Sequence, residues 1–123
     1  MLAVAGGVAQ RAVAVDPRVD ARPESNVQTV REPFTRELAR TLVDEYGAAD
    51  MLWVAMHADG ATTLTVDVAL EFNVRCVVVP CCPDDGEQPY AAYCAELLSK
   101  GATRLYEDVL DVDGRNAIVR LLG

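Results

Sequence analysis

The chain has 123 residues, 51% hydrophobic and 24% charged, with a net charge of −8 at pH 7. That length suits a single domain spanning residues 1–123. The apolar content excludes a disordered chain, and no apolar run nears the ~20 residues of a membrane span. Residues 1–40 hold six Arg and five acids, whereas residues 41–123 hold five basic residues and fourteen acids. No basic stripe is present, so neither phosphate neutralisation nor nucleic-acid binding is expected.

Residues 2–9 read as the end of a helix or a short strand, broken by Gly6 and Gly7. This opening lacks a basic leader and is interrupted by Arg11, so it reads as structure, not as an export signal. Ala12–Val15 is a short apolar strand stopped by Asp16 and Pro17. Residues 17–26 form a polar loop, and Val27–Val30 is a weak second strand. Thr35 then caps a helix, its hydroxyl accepting from a first-turn amide. Leu38, Leu42 and Tyr46 follow at helical spacing, and Gly47 supplies the left-handed terminus.

Met51–Met56 is apolar on both faces, the pattern of a central parallel strand. Asp59 is placed to cap the next helix, whose Leu64, Val68 and Phe72 share a face and which stops at Asn73. Arg75–Val79 repeats the two-faced apolar strand, and Val79-Pro80 is a candidate cis bond. Asp84–Gln88 is an acidic loop. Pro89 opens a helix that runs through Cys94, Leu97 and Leu98 to Gly101. Thr103–Val109 and Ala117–Leu122 are strands whose connection is too short for a helical crossover, so they pair antiparallel. The expected fold is therefore three-layer α/β, with a mostly parallel Rossmann-like sheet and an antiparallel terminal pair.

Four cysteines, Cys76, Cys81, Cys82 and Cys94, without an export signal indicate reduced thiols and a cytoplasmic setting. Two polar turns, His57–Asp59 and Cys81–Cys82, follow the two most apolar strands. In a parallel sheet both would lie at the carboxyl ends of the strands, where such sheets bind ligands.

The set His57-Ala58-Asp59-Gly60, Pro80-Cys81-Cys82 and Ala12-Val13-Ala14-Val15-Asp16-Pro17 resembles a class I S-adenosylmethionine-dependent methyltransferase. It is similar to the methyltransferase-like domains with H-x-C-G after one strand and C-C after the next, over most of residues 8–123. The cysteine of H-x-C-G is Asp59 here. The family's first strand and glycine-rich loop, which receive the methionine part of the cofactor, have no counterpart, since Gly6-Gly7 precedes the second strand. The expectation is a domain truncated at its amino end. It leaves a sheet edge for another chain or for a second copy in a homodimer.

The resemblance implies that Asp16 holds the ribose of S-adenosylmethionine, its two oxygens matching the diol's two donors. The ordinary reading of Asp16-Pro17 is a strand-ending turn. Glu32 stands where the family places an adenine or ribose contact, or is a solvated acid before Pro33. His57 and Asp59 would orient or deprotonate the methyl acceptor; otherwise Asp59 caps a helix and His57 bonds backbone. Cys81 and Cys82 would line the substrate pocket or simply pack the turn. A metal site from His57, Cys81, Cys82 and Cys94 is not expected, because adjacent cysteines diverge and zinc favours C-x₂-C.

Two other functions fit parts of the pattern. One is a non-catalytic, methyltransferase-derived binding or scaffold module, favoured by the missing loop. The other is a zinc nucleobase deaminase, since His57-Ala58-Asp59 and Pro80-Cys81 mimic H-x-E…P-C-x-x-C. There the acid is a methylene short and the second cysteine position is Asp84, so this reading ranks last.

Overall fold

Parallel strands organise the chain on either side of its first helix. The computed structural model describes residues 12–16, 27–56, 60–80, 89–101, 104–109 and 117–121. Strand β1 (Ala12–Val15) pairs in parallel with β2 (Val27–Val30), in a register running from Ala12 opposite Val27 to Val15 opposite Val30. Helix α1 (Arg36–Tyr46) follows, then a single 3-10 turn at Ala48–Asp50. Next come β3 (Leu52–Met56), α2 (Gly60–Phe72), β4 (Arg75–Val79) and α3 (Tyr90–Lys100). Strands β5 (Leu105–Val109) and β6 (Ala117–Leu121) close the chain.

Local chemistry explains the helix boundaries. Thr35 Oγ1 accepts from the Leu38 amide at 3.1 Å, which satisfies a first-turn donor of α1. Gly47, at φ 86°, ends that helix in a region an L side chain rarely enters. Asn73 ends α2 at φ 56°, a conformation its short amide side chain tolerates. Pro89 precedes α3 as its cap instead of sitting within its first turn, and Gly101 closes that helix.

The second sheet has the order β3-β4-β6-β5. Strands β3 and β4 are parallel, whereas β6 runs antiparallel to both β4 and β5. The expected terminal antiparallel pair is present, with its last strand inserted between β4 and β5. Among the described residues β1–β2 forms a separate two-stranded sheet, without strand pairing to β3. The single continuous sheet read from the pattern is therefore divided in two.

One core nonetheless spans both sheets. Val15 from β1 and Phe34 join Trp53 and Ala55 of β3, Cys76 and Val78 of β4, and Leu105 of β5. All three helices supply side chains to this same cluster, including Ala39, Val66, Ala69, Tyr93 and Leu97. Phe34 meets Trp53 edge to face, with ring centroids 5.7 Å apart.

The other side of β3 differs from the two-faced burial expected of it. Trp53 and Ala55 are 2% and 0% exposed, but Leu52 and Met56 are 52% and 58% exposed. Side chains alternate along a strand, and every described helix packs into the core that holds Trp53 and Ala55. Leu52, Val54 and Met56 lie outside that core, so among the described residues two of the three expected layers are seen. The Val79–Pro80 bond is trans, because the described residues contain no cis peptide.

Candidate functional site

The carboxyl ends of the parallel strands are the natural place to look for a site, because helix N-termini and loops converge there. Asp16 leaves β1 exposed, and its amide donates to the Val30 carbonyl at 3.1 Å, extending the ladder by one bond. Glu32, also exposed, stands two residues beyond β2. The register of Val15 with Val30 brings these two carboxylates to the same end of one parallel pair.

His57, Asp59, Cys81 and Cys82 lie outside the described residues, and so does the cap expected from Asp59. The backbone leading into them is described. Met56 and Val79 are Cα partners in adjacent parallel strands, so the chain leaves both strands at the same end of the sheet. Val15 does not complete a row with them. It is hydrogen-bonded into the β1–β2 pair and meets β3 only through the shared core.

Other contacts around this edge had no spacing signal in the sequence. Tyr90, the first residue of α3, donates its hydroxyl to the Pro80 carbonyl at 2.9 Å. That bond brings the start of α3 to the end of β4. Thr63 and Tyr93 share a hydrogen bond of 2.8 Å between α2 and α3. Trp53 Nε1 and Thr62 Oγ1 are buried without a hydrogen-bond partner.

Cys94 is a buried thiol on α3, 3% exposed, one of three buried residues of that helix with Tyr93 and Leu97. Cys76 is likewise buried within β4, as a small apolar side chain would be. Among the described residues no group of three or more His, Cys, Asp or Glu side chains is arranged to hold a metal ion. No helix among them is long and apolar enough to cross a membrane.

Compared with known protein families, curated proteins and solved structures, the chain matches none.

Proposed function

We propose that this chain is an S-adenosylmethionine-dependent methyltransferase-like module of Rossmann-like descent, whose cofactor site is completed by a further segment or by a partner chain. The observation that carries the reading is the pairing of Met56 with Val79 at the ends of parallel strands. The segments that carry His57 and Cys81 follow these two strands in the sequence, and the sheet ends in an antiparallel pair, which supports the resemblance.

The residues present fit one half of the cofactor. Two exposed carboxylates, Asp16 and Glu32, end a parallel pair, and acceptor oxygens of that kind suit the hydroxyls of a ribose. No described residue offers a counterpart for the methionine half, which is why the reading calls for a further segment or a partner chain. The cofactor, when bound, supplies an electrophilic methyl group on sulfur. His57 and Asp59 are assigned to orienting or deprotonating the acceptor, and Cys81 and Cys82 to lining its pocket.

Titrating S-adenosylhomocysteine while following the melting temperature tests this. A ligand that binds only the folded state adds ~2.7 kcal/mol of stability at a hundredfold excess over its dissociation constant. The expected result is a rise in melting temperature that depends on Asp16. An unchanged melting temperature at millimolar ligand removes the reading.

A second reading, a non-catalytic binding module derived from such an enzyme, is favoured by the division between β1–β2 and β3. It expects self-association or partner binding with no response to S-adenosylhomocysteine.

A further inference from the structure

The two edges of the four-stranded sheet are built differently. Strand β5, at one edge, reads Leu-Tyr-Glu-Asp-Val, and its Glu107 and Asp108 discourage pairing by another strand. Strand β3, at the other edge, reads Leu-Trp-Val-Ala-Met, with no charge, no proline and no glycine. Among the described residues it pairs with β4 alone. An edge strand of this kind leaves a row of backbone donors and acceptors open, with nothing to repel a partner.

The side chains of β3 are also symmetric about Val54. Leu52 and Met56, each two residues away, are 52% and 58% exposed, and Trp53 and Ala55 are both buried. A strand with that pattern is complementary to itself when turned antiparallel. Centred on Val54, the pairing sets Leu52 opposite the partner's Met56 and Trp53 opposite the partner's Ala55. Cross-strand neighbours at this spacing cover one another's apolar surface.

We infer that β3 is a homodimerisation edge, in which two copies pair antiparallel about a two-fold axis at Val54. The two four-stranded sheets then join into one of eight strands. The interface is isologous, so a single strand supplies both halves and no second surface is needed. Five residues of edge bury little area, so the dimer is a weak one that forms in the micromolar range or above. This pairing rests on the edge alone, so the ligand titration can fail while the dimer stands, or the reverse.

Sedimentation equilibrium of the full chain, from micromolar to millimolar concentration, tests the inference. The expected mass climbs from 13.3 kDa toward twice that value. Leu52→Lys with Met56→Lys places like charges opposite each other at both exposed positions, and the protein should remain monomeric. Leu52→Lys with Met56→Glu places opposite charges there and should restore the dimer. Tyr106→Lys, on the acidic edge, should leave it unchanged, and circular dichroism melts confirm that each variant is folded. A wild-type monomer at millimolar concentration overturns the inference. So does a dimer indifferent to the double lysine variant, or one that the lysine–glutamate variant fails to restore.

Discussion

Arg36 on α1 and Glu71 on α2 form a forked ion pair, with Nε 2.9 Å from Oε2 and 3.1 Å from Oε1 and Nη2 also donating to Oε1. The same guanidinium lies over the Phe72 ring, 5.5 Å from its centroid, and so clasps the end of α2 to the start of α1. Hydrogen bonding to Arg36 lowers the Glu71 carboxyl below its ordinary range, and the bond to Glu71 raises the guanidinium.

The pair sets a pH dependence whose sign follows from those directions. A lowered carboxyl contributes stability above its unfolded value, and that contribution disappears as pH falls through the folded value. The raised guanidinium contributes below its ordinary range and loses that only in strong alkali. Glu71→Gln should therefore melt slightly earlier than the parent at neutral pH, and the difference should close in acid. Both side chains are exposed, so the effect is small and salt should shrink it. Thermal melts at neutral and acidic pH, with and without added salt, check this.

Gly101 is required for space. A Cβ there would lie 2.7 Å from Cδ1 and 3.2 Å from Cβ of the buried Leu105. Gly101→Ala should cost about 1–3 kcal/mol by overpacking. Combining it with Leu105→Ala should cost less than the sum of the two single changes, since one relieves the other. Urea unfolding of the two single variants and the double variant measures the coupling.

Thr62 and Thr65 are both buried on α2 but differ in how their hydroxyls are satisfied. Thr65 Oγ1 donates to the Ala61 carbonyl at 2.6 Å, whereas Thr62 Oγ1 has no partner. Thr62→Val keeps the shape and removes an unsatisfied group, so it should stabilise the fold by about 1 kcal/mol. Thr65→Val should give less. Parallel denaturant curves for the two variants read the difference directly.

Thr35 caps α1 through a bond that alanine cannot make. Thr35→Ala should cost about 1 kcal/mol, and Thr35→Ser should recover most of it. Amide exchange at Leu38, whose donor loses its acceptor, should quicken in the alanine variant alone.

For the proposed cofactor site, Asp16→Ala should weaken S-adenosylhomocysteine at least tenfold, about 1.4 kcal/mol. Calorimetric titration of the parent and the variant decides the point. Equal affinities would separate Asp16 from the ligand.

Much of the fold was legible in the pattern because local chemistry dictates it. Thr35, Gly47 and Asn73 each mark a helix boundary through a side-chain or backbone preference that needs no tertiary contact. The terminal antiparallel pair followed from the shortness of its connection. The burial of β3 was misread because two-faced apolarity describes a strand's capacity, whereas exposure depends on which side the helices occupy. Leu52 and Met56 look like core residues until all three helices send side chains into the core that holds Trp53 and Ala55. The division between the two sheets was equally hidden, since strand neighbours are chosen by the whole chain. Of the candidate site, the register of β1 with β2 brings Asp16 and Glu32 to one strand end. The contact from Tyr90 to Pro80 carried no motif, because a hydroxyl meeting a carbonyl ten residues away leaves no spacing rule.

The chain's single tryptophan stands against Phe34, where the side chains of the two sheets converge. Its indole emission is thus an intrinsic gauge of that junction. A red shift on mild warming, ahead of the loss of helical signal, would reveal that the two sheets part company before either one melts.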